Sequence, residues 1–84
     1  MWNEENNKLE KSFEFKDFKE AIAFIQLIAF AAEEMNHHPE IFNLYNKVEL
    51  KLSTHSAGDT VTAKDKKLSA EIDEIFSGHF GGNN

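Results

Sequence analysis

The feature that most constrains the fold is the stretch from residue 17 to residue 36, DFKEAIAFIQLIAFAAEEMN, whose apolar residues recur with the period of a helix. Asp17 has the character of an N-cap, and Glu20, three residues on, completes a capping-box pattern. The predicted apolar stripe consists of Phe18, Ala21, Ile22, Ile25, Ile28, Ala29, Ala32 and Met35. Such a stripe predicts a long helix with one face against a core.

Two further apolar residues of this helix, Leu27 and Phe30, lie off the stripe. They indicate a second contact, of the kind that subunits make with one another. The helix should end at Asn36, because the residue before a proline, here His38, avoids helical angles. This break leaves His37 and His38 just beyond the end of the helix.

The segments that flank this helix carry the pattern of strands. KLEKSFEF, residues 8–15, alternates apolar and polar side chains apart from Lys11. Trp2 is interpreted as the start of a short earlier strand, followed by the turn-like NEENN. After the proline, IFNLYNKVELKLSTH, residues 41–55, predicts a β-hairpin or a bent pair of strands.

A second helix follows a turn around Gly58. Thr62 to Asp65 forms another capping-box pattern, and apolar residues recur on one face behind it. That face consists of Leu68, Ile72, Ile75 and Phe76. The order β-β-α-β-β-α predicts an α+β fold, a two-layer sandwich with a four-stranded antiparallel sheet and both helices on one face. Residues 1–79 are predicted to form a single domain, and residues 80–84 a flexible tail.

The charge of the chain narrows the range of partners. Fifteen acidic residues against nine lysines and no arginine give a formal net charge of −6. Because nucleic-acid affinity comes largely from Lys and Arg side chains on phosphates, DNA and RNA are predicted not to be partners. Without cysteine, a thiolate metal site is impossible. The sequence shows neither a secretory signal nor an apolar run that could span a membrane, so a cytoplasmic protein is expected.

The residues best suited to chemistry are the histidines. His79 falls near the glycine-rich tail and is interpreted as a surface residue, whereas His37, His38 and His55 stand at a helix end and a strand end. Three interpretations of these three residues stay open. They can face solvent or interact with the helix terminus. They can bind a metal together with Glu33. Alternatively, two of them can act as acid and base near neutral pH.

The chain resembles the pterin-4a-carbinolamine dehydratases in a set of spaced residues, and the likeness covers positions 2–76. These residues are Glu33, His37, His38, Pro39, Tyr45, His55 and Asp65, together with KDF at the start of the first helix. The resemblance implies an antiparallel sheet with helices against it, which agrees with the order above. It also implies dehydration of 4a-hydroxytetrahydropterin to quinonoid dihydropterin in tetrahydropterin recycling, with neither a metal nor an organic cofactor.

The resemblance further implies which residues form the site. His37, His38 and His55 match the three active-site histidines of the family. The positions predicted to contact or orient the pterin substrate are Pro39, Thr54, Ser56 and Glu33. Elimination of water needs an acid for the departing hydroxyl and a base for the N5 proton, and imidazoles supply both near neutral pH.

The chain departs from the family pattern at three places. Ile41 replaces a common tryptophan, Lys64 replaces a common arginine, and the family's usual N-terminal helix is expected to be absent. A homo-oligomer, either a dimer or a tetramer, is expected, because so small a core is marginal alone and both helices carry apolar residues that would form an exposed patch. The alternative function is a non-catalytic module for protein interaction or dimerisation on the same fold.

Overall fold

The computed structural model describes residues 1–80, which form four strands and two long helices. In chain order these are β1 (Asn3–Glu5), β2 (Lys8–Glu14), α1 (Phe18–Met35), β3 (Glu40–Leu44), β4 (Lys47–Leu52) and α2 (Ala63–His79), with a short 3-10 turn at His55–Ala57 before α2. The strands form one antiparallel sheet in the order β1-β2-β4-β3, so β1 and β3 are its edges. The predicted α+β architecture is confirmed.

The register of the two central strands puts their apolar residues on one face of the sheet. Leu9 lies opposite Leu52 and Phe13 opposite Val48, whereas the alternate residues Glu10, Ser12, Glu49 and Lys51 point to the other face. Both helices cover the apolar face. The buried core consists of Leu9, Phe13, Phe15, Ala21, Phe24, Ile28, Val48, Leu50, Leu52, Leu68 and Ile72.

Both ends of α1 are capped by the residues that the sequence indicates. The Asp17 carboxylate accepts a hydrogen bond of 2.9 Å from the backbone N–H of Glu20. The Glu20 carboxylate accepts from the backbone N–H of Lys16 at 3.2 Å, one residue before the position that a capping box uses. At the other end, Asn36 adopts left-handed angles (φ 53°, ψ 44°) and stops the helix as predicted.

The buried face of α1 differs from the predicted stripe. Phe24, which the stripe left out, is fully buried, whereas Phe18 is half exposed and Ala29 is exposed. The buried positions of α1 are Ala21, Phe24, Ile28 and Ala32. They follow helical spacing but lie part of a turn round from the centre of the predicted stripe, because Phe24 packs against the rings of Phe13 in β2 and of Phe15 just after it. Phe30 lies on the exposed side, off the buried face.

The apolar face of α2 belongs to the core. Leu68 and Ile72 are fully buried, and Ile75 and Phe76 pack against the core. The expectation that these residues form an exposed patch is therefore wrong, because the sheet needs this face of α2 as its cover. Exposed large apolar side chains gather instead at the β3 edge and the turn after it, at Ile41, Phe42, Leu44 and Tyr45.

One tryptophan ties the N-terminal strand to α2. The Trp2 indole Nε1 lies 3.1 Å from both carboxylate oxygens of Asp73, with its ring edge-on to Phe13. Lys11, the exception in the alternation of β2, donates to the same carboxylate at 2.8 Å. A charged side chain thus stands on the helix-facing side of β2 because α2 brings a partner to it.

The last described residue, Phe80, packs on the core. Its ring centroid lies 5.3 Å from that of Phe15 and 5.6 Å from that of Phe24. The packed domain therefore includes residue 80, with which the predicted tail begins, and the rest of that tail, residues 81–84, lies outside the described residues. Neither helix in the described part of the chain has the length and apolar character needed to cross a membrane.

Candidate active site

His37 is turned into the protein by the left-handed residue before it. Asn36 reverses the chain at the end of α1, and the backbone N–H of His37 then donates to the Ala32 carbonyl at 3.0 Å. The residue is buried, with 8% of its surface exposed. A buried imidazole needs a hydrogen-bond partner, and the partner comes from α2.

That partner is the carboxylate of Asp65, which has no exposed surface. Its Oδ1 lies 2.6 Å from Nε2 of His37, and its Oδ2 accepts from the Thr54 hydroxyl at 2.7 Å and from the Thr62 backbone N–H at 2.8 Å. Burial alone would raise the pKa of Asp65, but the hydrogen bonds from these three residues outweigh it and hold the pKa below the ordinary value of 3.8. Asp65 is therefore ionised at neutral pH.

The ionised carboxylate fixes the tautomer of the His37 ring. Because it can only accept hydrogen bonds, the proton between the two groups sits on Nε2. Nδ1 makes no hydrogen bond within residues 1–80, and no buried polar side-chain atom among them lacks a partner, so Nδ1 reaches the surface. His37 is thus held at one nitrogen and open at the other.

His38 pairs with a different carboxylate. Its Nε2 lies 2.9 Å from Oε1 of Glu33, and both side chains are exposed. The sequence placed Glu33 one turn before His37, but the chain reversal after α1 takes His37 away from it. The orienting role of Glu33 stays a prediction, and the ring beside it in the structure is that of His38.

His55 begins the loop after β4, and the loop supplies its own carboxylate. The His55 side chain is 95% exposed, and its Nδ1 lies 2.8 Å from Oδ1 of Asp59. Gly58 (φ 87°) and Asp59 (φ 58°) are both left-handed, which curls the chain so that the carboxylate returns to the ring. Nε2 of His55 forms no hydrogen bond to the described residues.

The structure brings together part of the predicted site. Asp65 joins His37 to Thr54, the last buried residue before the loop. Pro39 is half-buried between the helix end and β3, and Ser56 is exposed in the 3-10 turn. The Thr54 hydroxyl, predicted to contact substrate, is buried and directed at Asp65.

Two carboxylates beside the histidines, Asp65 and Asp59, were not among the predicted site residues. The capping box of α2 does form between Thr62 and Asp65, so the local pattern accounted for Asp65 and hid its longer-range partner. Its place in the spaced family signature was the available signal. For Asp59 the turn at Gly58 gave no comparable signal.

Each of the three histidines pairs with a different carboxylate, and the side chains that a metal site would need lie apart from one another. Within residues 1–80, no three His, Cys, Asp or Glu side chains are grouped so that they could hold a metal ion. The ligand set considered from the sequence, Glu33 with His37, His38 and His55, is therefore not assembled in this chain. The geometry does not support the metal interpretation.

Proton transfer is the chemistry that this arrangement suits. In each of the three pairs, one ring nitrogen is next to a carboxylate and the other makes no hydrogen bond within residues 1–80. The carboxylate fixes the orientation and the tautomer of the ring, while the other nitrogen is left to give or take a proton.

Comparisons with known proteins identify the family of the chain. A family model described as pterin 4 alpha carbinolamine dehydratase matches residues 1–75. The chain belongs to the pterin-4-alpha-carbinolamine dehydratase family. Proteins provisionally named pterin-4-alpha-carbinolamine dehydratase from Sulfolobus acidocaldarius and Rhizobium meliloti are 50% and 51% identical to it over 74 and 75 residues. These alignments cover 88% and 89% of this chain and 80% and 71% of the two relatives.

Two solved structures extend the pterin-4-alpha-carbinolamine dehydratase comparison to the fold. A transcriptional coactivator/pterin dehydratase from Brucella melitensis has a TM-score of 0.83 at 39% identity, covering 88% of this chain and 80% of that one. A pterin dehydratase-like protein described as a RuBisCO assembly factor in the alpha-carboxysome has a TM-score of 0.74 at 25% identity, covering 88% and 87%. The fold thus occurs in proteins named for catalysis and in proteins named for assembly.

Proposed function

We propose that the protein dehydrates 4a-hydroxytetrahydropterin to quinonoid dihydropterin plus water, with His37, His38 and His55 as the catalytic residues. The observation that carries this proposal is the pairing of each imidazole with a carboxylate at one nitrogen, on a chain of the pterin-4-alpha-carbinolamine dehydratase family. A role in tetrahydropterin recycling in the cytoplasm goes with the proposal.

The proposed reaction breaks the bond between C4a and the hydroxyl oxygen and removes the proton from N5. An acid protonates the hydroxyl so that it leaves as water, and a base takes the N5 proton while the N5–C4a double bond forms. His37 at Nδ1 and His55 at Nε2 offer open nitrogens for these two transfers. Pro39 and Ser56, which neighbour these histidines in the chain, are the proposed substrate contacts, with Glu33 orienting His38.

The decisive experiment adds purified protein to freshly generated 4a-hydroxytetrahydropterin and follows its loss. His37→Ala and His55→Ala should each lower kcat by about 10²–10⁴-fold, down to the limit set by the uncatalysed rate. His79→Ala, at the exposed end of α2, is the matched control and should keep full activity. Small and equal effects in all three variants would refute the assignment.

The proposed chemistry needs no metal, because imidazoles carry both proton transfers. Treatment with a chelator should therefore leave the rate unchanged, and added zinc should not raise it. Activity that disappears with the chelator and returns with zinc would contradict the proposal.

A second candidate is a non-catalytic protein-interaction module. It is favoured by the relatives described as a transcriptional coactivator and as a RuBisCO assembly factor. The same assay separates the two functions, because an interaction module would not accelerate loss of the carbinolamine at any protein concentration. Retention of three carboxylate-paired histidines favours catalysis.

Self-association belongs to the same proposal. The β3 edge presents unpaired backbone groups beside Ile41, Phe42 and Leu44, all exposed. Exposed apolar edge strands of this kind pair readily with another chain. A second copy of this chain is the proposed partner, in a dimer or tetramer.

A further inference from the structure

The Thr54 hydroxyl is a buried group that the proposed reaction does not use directly. We propose that Thr54 is a positioning residue, which holds the Asp65 carboxylate against His37 and anchors the loop that carries His55. This inference rests on the proposed function for its consequence on turnover. Its structural part, the control of Asp65 by Thr54, can be tested without any activity.

The distances favour one direction for the hydroxyl donors in this region, because the Thr54 oxygen lies 2.7 Å from Oδ2 of Asp65 and the Thr62 oxygen lies 3.4 Å from it. Asp65 is ionised and accepts only, so we assign the single hydroxyl proton of Thr54 to this shorter contact with Oδ2. The contact of 2.5 Å between the hydroxyls of Thr54 and Thr62 therefore has Thr62 as donor. The Thr62 oxygen in turn accepts from the backbone N–H of Lys64 at 3.3 Å. A chain of donors thus runs from the start of α2 through Thr54, just after β4, to Asp65.

This chain of donors ends on the same carboxylate that holds the catalytic ring. With Oδ2 occupied by Thr54 and the Thr62 backbone, Oδ1 is left for Nε2 of His37 at 2.6 Å. A carboxylate that lost its Thr54 donor could rotate and would change the direction in which Nδ1 of His37 points. Donors that polarise one another in sequence also strengthen the final bond.

The backbone of the same residue anchors the His55 loop. The Thr54 N–H donates to the Thr60 carbonyl at 2.8 Å, and the Thr54 carbonyl accepts from Ala57 and from Asp59, each at 3.1 Å. Residues 54–60 therefore close on Thr54 from both sides. Because its side chain is fixed to Asp65, the loop and the His37 ring share one support.

The burial of Thr54 distinguishes a positioning role from contact with substrate. Thr54 is only 5% exposed, and its hydroxyl already uses its proton and one lone pair inside the protein. A substrate contact made by the hydroxyl would require one of these bonds to break. A positioning role requires both bonds to be kept.

The test replaces Thr54 by Val, which keeps the shape and removes the hydroxyl, and by Ser, which keeps the hydroxyl. Thr54→Val should lower kcat about tenfold with KM unchanged, the equivalent of one hydrogen bond to a charged group. NMR titration of the Asp65 carboxyl carbon should show its midpoint raised by about 0.5 to 1 pH unit. Thr54→Ser should restore both values toward those of the unsubstituted protein.

The outcomes separate this inference from the proposed function. Equal kcat and equal Asp65 midpoints in the valine and serine variants would overturn it, as would a rise in KM alone with an unshifted midpoint, which indicates substrate contact. An unsubstituted protein without dehydratase activity refutes the proposed function, while the Asp65 midpoints still decide the role of Thr54.

If Thr54→Val does not fold, the inference can still be tested by a measurement on the unsubstituted protein. The Thr54 hydroxyl proton should exchange slowly with water and be detectable by NMR, unlike that of Ser56 in the exposed turn. Rapid exchange of both hydroxyl protons would overturn the inference, because a donor committed to Asp65 is not free to exchange.

Discussion

Asp65 shows how one buried carboxylate can hold several neighbouring groups in place. Its folded-state pKa lies below 3.8, so its ionised form stabilises the folded protein above the unfolded-state pKa, and this contribution is lost as the pH falls through the lower folded-state value. We expect Asp65→Asn to lower the free energy of unfolding at neutral pH by about 1–3 kcal/mol. It should also flatten the dependence of stability on pH below about pH 4.

Urea unfolding between neutral pH and about pH 2 measures both effects of Asp65→Asn. Glu74→Gln, which removes an exposed carboxylate from the same helix, is the matched control and should leave the curve almost unchanged. If Asp65→Asn and Glu74→Gln have the same pH dependence, the buried carboxylate does not have the proposed energetic role.

Asp59 is the carboxylate partner of His55, as Asp65 is the partner of His37. Because both side chains are largely exposed, their pairing is worth at most about 1 kcal/mol. Asp59→Asn should therefore lower kcat by about two- to fivefold through loss of ring orientation, with no change in melting temperature. Glu71→Gln, another exposed carboxylate, is the control for net charge. Full activity in Asp59→Asn would show that His55 needs no orienting carboxylate.

The element-scale evidence explains which parts of this site the sequence could reveal. The helices, strands and caps rest on local patterns, so Asp17, Asn36 and Thr62 were predicted in their observed roles. The pairing of His37 with Asp65 spans 28 residues and depends on how α2 docks, which no local pattern encodes. For the same reason the burial of Phe24 was missed, since it depends on aromatic rings contributed by β2 and α2.

The end of α1 offers a direct test of how an element aims a side chain. Asn36 is left-handed, a conformation that Gly adopts without strain and Ala does not. Asn36→Ala should lower the free energy of unfolding by about 1–2 kcal/mol. It should also reduce kcat, because in this variant the chain reversal that directs His37 toward Asp65 would be strained. Asn36→Gly is the matched variant and should retain activity. Thermal melts and kcat are measured for both variants. Equal melting temperatures and equal kcat in Asn36→Ala and Asn36→Gly would contradict the proposed role of Asn36 as the cap.

At the scale of the whole molecule, the exposed apolar edge predicts self-association. Phe42, Leu44 and Tyr45 are 58%, 64% and 61% exposed along β3 and its turn. Light scattering at micromolar concentration should give a mass of two or four chains, and Leu44→Lys should shift it toward the single chain. Phe30→Lys changes an exposed residue on the outer side of α1. A comparison of the two variants therefore shows whether the chains associate through the β3 edge or through the helix surface. A mass near 9.6 kDa for the unsubstituted protein, with a melt independent of concentration, would contradict the prediction.

The carboxylate that organises the site arrives late in synthesis. Asp65 follows His37 by 28 residues and Thr54 by 11, so every proposed catalytic histidine leaves the ribosome before the residue that joins His37 to the His55 loop. A nascent chain with a completed sheet and α1 but no docked α2 therefore has the reactive rings without their common support. Catalytic activity is therefore expected only from chains in which α2 has docked. After dilution from denaturant, recovery of activity should keep pace with the docking of α2 and lag behind any earlier pairing of the strands.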